Sequence, residues 1–132
     1  MSTFDAMDIA TTGAGVSQMW LDAVANNVAN VNTIRPAGQQ PFRAELVTAQ
    51  SDPNGHGVVA TGVVLEGGAA PVSYDPGNPL ANAQGYVTHP VDDLSQQMSD
   101  MIASSRMYEM NLNVMGTAKE TYQQALQIGN KL

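Results

Sequence analysis

The chain has 132 residues and a mass of 13.9 kDa, which suits one domain and excludes a multi-domain enzyme. Five basic against twelve acidic residues give a net charge of -7, each third of the chain being acidic, so a nucleic-acid partner, which needs clustered Lys and Arg, is not expected. With no cysteine, disulfides, thiolate nucleophiles and Cys-based zinc sites are excluded.

The opening residues Met1-Ser2-Thr3-Phe4-Asp5 lack the basic start and apolar core of a secretory signal, so any export is expected to use another route. Proline and glycine then divide the chain. All seven prolines and eight of the twelve glycines fall between Thr33 and Pro90, whereas the flanks carry no proline. The flanks carry apolar residues at three- and four-residue steps and read as helices. The resulting segments are an N-terminal helix over 1–32, a middle segment over 33–90 with short strands, and a long C-terminal helix over 91–132.

In the N-terminal helix, Val16, Trp20, Val24, Val28 and Val31 draw one apolar stripe, extended upstream by Ile9. Thr11, Thr12, Gly13 and Gly15 have poor helix propensity, so the helix is expected to be loose before Val16. Asn26, Asn27, Asn30 and Asn32 stand where propensity alone disfavours them. Two readings stay open on the residues alone: a frayed helix end leading into Thr33, or buried amides that fix the register of packed helices.

In the middle segment, Gly57 to Leu65 alternates, Gly67-Gly68 supplies a turn and Val72-Ser73-Tyr74 follows, which predicts a small hairpin. A second pairing is expected between Phe42–Val47 and Tyr86–Thr88. Asp75-Pro76-Gly77-Asn78-Pro79 is a turn. The longest charge-free stretch, between Asp75 and Asp92, contains three prolines and falls short of the roughly 20 apolar residues of a membrane helix, so no direct membrane insertion is expected.

After Asp92 and Asp93, which start the C-terminal helix, alternating four- and three-residue steps run through Leu94, Met98, Met101, Ser105, Tyr108, Leu112, Met115, Lys119, Tyr122, Leu126 and Gly129, the last a plausible stop. Eight of these eleven positions are apolar or aromatic, a seam of coiled-coil character. At about 1.5 Å per residue this helix spans roughly 54 Å, more than the other segments can cover, which implies an obligate assembly. The expected fold is therefore mainly α: long N- and C-terminal helices in a coiled-coil-like hairpin, with a small β-rich or irregular middle.

Catalytic constellations are lacking. His56 and His89 are the only imidazoles, and no recognised nucleophile sequence accompanies either. Lys119 and Lys131 lack the glycine-rich approach of a phosphate loop. Asp52 and Asp75 lack the alternating ligands of a calcium loop and read as turn residues. Neither a cofactor nor a metal is expected.

The run Leu21-Asp22-Ala23-Val24-Ala25-Asn26-Asn27-Val28-Ala29-Asn30-Val31-Asn32-Thr33 closely resembles the N-terminal signature of the bacterial flagellar rod and hook proteins. Val72 to Pro79, Gln84-Gly85-Tyr86-Val87, Met101 to Asn111 and Thr117 to Gly129 look like the proximal rod members of that family, as do the chain length and the short middle segment. The resemblance implies export through the flagellar type III apparatus without a cleaved signal, then helical assembly in the periplasm into a tube. It also implies terminal helices on the inner wall and the middle segment outside. Leu21, Asn26, Asn27, Ala29, Asn30 and Thr33 match the N-terminal signature, and Arg106, Tyr108, Glu109 and Asn111 the C-terminal one; the loop from Thr33 to Gln40 departs from the pattern.

The implied partners are copies of the chain itself, other rod proteins, a basal-body adaptor protein, the membrane-ring protein and the export apparatus. The residues expected to pack subunits are Val16, Trp20, Leu21, Val24, Asn26, Asn27, Val28, Asn30 and Val31, with Leu94, Met98, Met101, Arg106, Tyr108, Glu109, Asn111, Leu112, Met115, Tyr122 and Leu126. The function expected is a structural, non-enzymatic subunit of the proximal rod that transmits torque. The alternative is a helical-hairpin binding module, such as an export adaptor or chaperone.

Overall fold

The computed structural model describes residues 3–129; the ends of the two flanking segments, 1–2 and 130–132, lie outside the described residues. The described chain is mainly helical. Helix α1 (Thr3–Asn30) and helix α2 (Leu94–Gly129) enclose in sequence the short strands β1 (Arg35–Pro36), β2 (Glu45–Ser51), β3 (Val58–Leu65), β4 (Val72–Tyr74) and β5 (Tyr86–Thr88).

α1 is helical through Thr11, Thr12, Gly13 and Gly15, which corrects the loose start expected from propensity. The hydroxyls of Thr11 and Thr12 donate to the carbonyls of Met7 and Ile9 at 2.7 and 2.8 Å, so they no longer compete for the backbone of a turn. Packing on α2 supplies what propensity lacks, as is usual for helices in proteins. At the other end, Asn30 Nδ2 donates to the Asn26 carbonyl at 2.9 Å, and the Thr33 N–H donates to the Asn30 carbonyl at 2.9 Å, closing the helix locally. α2 starts where Asp93 Oδ1 accepts from the Ser95 N–H at 2.8 Å, an N-cap that satisfies one orphan donor.

The two helices pack antiparallel. Asn27 meets Gln97, Thr11 meets Met115, and the Phe4 and Tyr122 rings meet edge to face at 4.9 Å, so numbering falls on α2 as it rises on α1. Past Tyr122, α2 runs on beyond the described start of α1.

The strands form two small sheets whose pairing differs from the sequence expectation. β3 pairs with β2, Glu45 opposite Leu65 and Ser51 opposite Val58, rather than with Val72–Tyr74. β4 instead joins a three-stranded sheet in the order β1-β5-β4. Phe42 and Ala44 bond to Val91 rather than to Tyr86–Thr88: Val91 N–H donates to Phe42 O at 2.9 Å and Ala44 N–H to Val91 O at 3.2 Å. Alternation identifies strands but is blind to partners, and here short loops favoured the wrong pairs. Among the reasons is Arg43, whose guanidinium donates to the carbonyls of Glu66 and Gly68 and ties the end of β3 back to the start of β2.

The β2–β3 ribbon lies along α1 and is held at both ends. At one end Asn27, wholly buried, accepts from the Glu45 N–H at 2.8 Å and donates to the Glu45 carbonyl at 3.0 Å. It also donates to Gln97 Oε1 at 3.0 Å, so one amide joins α1, β2 and α2. At the other end the Val58 N–H donates to Thr12 Oγ1 at 3.1 Å. The lengths agree: the seven residues of β2 at about 3.4 Å each cover the distance that α1 takes fifteen residues at about 1.5 Å to climb from Thr12 to Asn27. Gly57, with φ of 106°, must be glycine, because a Cβ there would collide with Thr12 Oγ1 and press on the Ile9 backbone.

Replacing Asn27 by Ala strands the Glu45 N–H and carbonyl and the Gln97 amide in a dry site. Asn27→Ala is expected to cost about 3 kcal/mol of folding free energy, read as a lower urea midpoint. Gly57→Ala is expected to release the ribbon tip, read as faster hydrogen exchange at the Val58 amide with the Glu45 amide still protected.

Candidate assembly surface

Small residues dominate the contact between the helices. Ala10, Ala14, Ser17, Ala23, Val24 and Asn27 are buried on α1, and Gln97, Ser104 and Ala118 on α2. Of the apolar stripe read from the α1 sequence, Val24 alone is buried; Ile9, Val16, Trp20, Val28 and Val31 are half-buried, as is Leu21. Asn26 is exposed and Asn30 half-buried, each bonded to the other rather than across the helix pair. Only Asn27 of the asparagine cluster reaches another element through a hydrogen bond between described residues.

On α2 the seam toward α1 runs through Gln97, Met101, Ser104, Tyr108, Asn111, Met115, Ala118 and Tyr122, a sustained alternation of four- and three-residue steps. Half of the expected seam, Met101, Tyr108, Met115 and Tyr122, lies on it. The other half does not. Leu94, Met98, Leu112 and Leu126 are 43%, 57%, 43% and 49% exposed, and the places toward α1 are taken by Gln97, Ser104, Asn111 and Ala118. The reason is close approach: Gly13 leaves room for the Asn111 amide, whose Oδ1 stands 2.8 Å from where a Cβ would be, and Ser104 and Ala118 are small enough to be buried between the helices. The buried hydroxyls of Ser17 and Ser104 are satisfied within their own helices, by the carbonyls of Gly13 at 2.8 Å and Met101 at 3.1 Å.

The remaining large apolar residues of α2 are thereby turned outward. Leu94, Met98, Ile102 and Leu112 share one side of the helix, and Met107, Met110 and Val114 another, all of them exposed. Two open grooves between α1 and α2, about 440 and 330 Å³, share Ala6 and Val114 as walls; Asn113, Thr117, Ala118 and Thr121 complete the first, and Ile9, Ala10 and Asn111 the second. Leu94 is exposed at the start of α2, and Arg106 and Glu109 are exposed on it. On the ribbon, Leu46 and its cross-strand partner Val64 are exposed on one face, and Val63 and Leu65 on the other. The Asp92–Asp93 pair splits: Asp93 caps α2, whereas both carboxylate oxygens of Asp92 are buried without a hydrogen-bond partner among the described residues.

Several residues central to this arrangement escaped sequence reasoning: Gly13, Ala10, Ala14, Ser17, Glu45, Gln97, Ser104 and Ala118. A signal for them exists in retrospect, since Ala10, Ala14 and Ser17 step by four and three, and Gln97, Ser104, Asn111 and Ala118 recur every seven residues. It is a row of small and amide residues, which a search for large apolar side chains passes over.

Surfaces of this kind, apolar and extended along a helix pair, belong to proteins that pack with neighbours, and comparison with known proteins says of which class. The family model described as "Flagellar basal body rod FlgEFG protein C-terminal" matches residues 83–128, which take in β5 and nearly all of α2. The flagellar basal-body rod protein FlgC of Salmonella typhimurium strain LT2 is 33% identical over 133 aligned residues, covering 98% of this chain and 99% of the relative. FlgC of Bacillus subtilis strain 168 is 28% identical with 98% of this chain covered, and FlgC of Aquifex aeolicus strain VF5 31% identical with 96% covered. The chain belongs to the FlgC family of flagellar basal-body rod proteins.

Ser104→Leu is expected to overpack the close contact between α1 and α2, costing about 2 kcal/mol. Thermal unfolding measures this, with Ser105→Leu, one position around the helix, as a near-neutral control.

Proposed function

We propose that this chain is a structural subunit of the flagellar proximal rod, which assembles helically in the periplasm and passes torque from the membrane ring to the distal rod and hook. The observation that carries the reading is the likeness to flagellar basal-body rod proteins over almost the whole chain, at matched length. The outward apolar faces of α2 agree with it, since a helix of 36 residues with one α-helical neighbour leaves more apolar surface than an isolated chain tolerates.

In this role no bond is made or broken. The helix pair serves as a coiled-coil-like hairpin in the inner wall, residues 1–32 and 91–132 forming the wall and 33–90 the outer decoration. Leu94, Met98, Leu112 and Leu126 meet helices of adjacent subunits, while Val24, Asn27, Met101, Tyr108, Asn111, Met115 and Tyr122 hold the hairpin itself in register. Val16, Trp20, Leu21, Val28 and Val31, half-buried in the single chain, complete their burial against neighbours, and Asn26, Asn30, Arg106 and Glu109 supply polar contacts around them. Resistance to sliding then comes from shape, because close-packed side chains have discrete rather than continuous arrangements. The methionines Met98, Met107 and Met110 suit contacts that differ slightly from one subunit to the next. The partners are other copies, the other rod proteins, an adaptor at the base, the membrane-ring protein and the type III export apparatus.

Deletion of the gene, imaged by electron cryotomography with the intact gene restored as control, is expected to remove rod and hook while the membrane ring remains. Unchanged flagella would return the chain to the binding-module reading. Leu112→Asp is expected to abolish swimming by placing a charge in a packed interface, with the circular dichroism of the purified chain unaltered; normal swimming would remove Leu112 from the interface.

A further inference from the structure

The tip of the β2–β3 ribbon is a turn built from Asp52-Pro53-Asn54-Gly55, and it contains the sole Asn-Gly step in the chain. Asn54 and Gly55 are both exposed. An Asn followed by Gly is the sequence most open to intramolecular attack on the side-chain amide, because no Cβ shields the following backbone nitrogen. Several other asparagines are obstructed. Asn78 precedes Pro79, which has no N–H, and Asn26, Asn27, Asn111 and Asn113 lie within helices.

We propose that Asn54 is a site of spontaneous deamidation whose rate is governed by the fold: slow in the formed turn and fast whenever this segment is unfolded. In the reaction the Gly55 backbone nitrogen, after losing its proton to solvent, attacks Asn54 Cγ. The N–Cγ bond forms, the Cγ–Nδ2 bond breaks, and the side-chain nitrogen leaves as ammonia, producing a cyclic succinimide. Water then opens either ring carbonyl to give aspartate or isoaspartate. Nothing is oxidised or reduced.

Both reacting groups are restrained in the folded turn. The Gly55 N–H donates to the Asp52 carbonyl at 2.9 Å, so the nucleophile is engaged and its proton held. Asn54 Nδ2 donates to Asp52 Oδ1 at 3.2 Å, and the Asn54 N–H donates to the same oxygen at 3.0 Å, so the side chain is anchored toward Asp52. Pro at the second position and Gly at the fourth, with φ of 78°, favour this turn strongly. Beyond it, Asp52 N–H bonds Gly57 O at 2.9 Å and Gly57 sits against Thr12, so the turn is continuous with the docking on α1. An isoaspartyl link would lengthen the backbone at this point and loosen that docking.

The test follows isoaspartate at position 54 by peptide mass spectrometry and enzymatic carboxyl methylation, in the full chain held at neutral pH with and without urea. The unfolded chain is expected to accumulate it, with the native chain slower by roughly fivefold or more, the weight of one engaged hydrogen bond. Asp52→Ala, which keeps the backbone carbonyl that engages the Gly55 N–H and loses only the side-chain anchor of Asn54, is expected to narrow the native-against-urea difference while circular dichroism stays native, and Asp52→Asn, which keeps a side-chain oxygen acceptor, to preserve it. Equal rates with and without urea overturn the proposal, as does a natively folded Asp52→Ala variant no faster than its parent. Should Asp52→Ala fail to fold, the parent chain's native-against-urea comparison decides alone.

Discussion

One side-chain amide holds the three parts of this chain together. Asn27 pairs with the N–H and the carbonyl of Glu45 as a neighbouring strand would, and with its remaining donor reaches Gln97. Its exposure is zero, so none of these bonds is replaceable by water, and loss of the amide leaves groups on two other elements unpaired. The Asn27–Gln97 bond sets where α2 lies along α1, and the Asn27–Glu45 pair sets where the ribbon begins. An apolar residue at position 27 could bury as much area and specify neither.

From that point the geometry follows by length. The ribbon runs back along α1 until Thr12 accepts the Val58 N–H, and Gly57 provides the backbone shape that lets the tip close on the helix. Anchorage at both ends compensates for a ribbon of two strands, which alone would be marginal in water. The register shift between Thr48 and Ala49 adds twist on the way, as bulges do.

The helix pair shows a division of labour between small and large side chains. Alanines, serines and amides take the closest positions of the inward face, beside Met101 and Met115, while Leu94, Met98, Ile102, Met107, Met110 and Leu112 face outward, where a single chain has nothing to cover them. Burial in the isolated subunit is consequently modest, and the described hydrophobic core consists of Ala10, Ala14, Ala23, Val24, Ala44, Val87 and Ala118. Such a chain is stable to the extent that it is surrounded, which accords with membership of a family of rod components.

Much was legible in the sequence: two long helices, the proline- and glycine-rich segment between them, the presence of short strands, and the family. Periodicity and breaker residues report local backbone preference, and the asparagine-rich run from Leu21 to Thr33 carries the family signature. What the sequence could not decide was pairing. Val58–Leu65 could join Val72–Tyr74 or Glu45–Ser51 with equal alternation, and only the anchors at Asn27, Arg43 and Thr12 choose between them. Nor could it tell which row of a helix faces its neighbour, because large apolar residues at Met98 and Leu112 outweigh Ser104 and Asn111 on any hydrophobicity count. The sequence alone determined the elements and their class, since these depend on residues adjacent in the chain. The tertiary structure alone decided partners, register and the inward face, since these depend on how closely two backbones can approach and on which buried polar groups find each other.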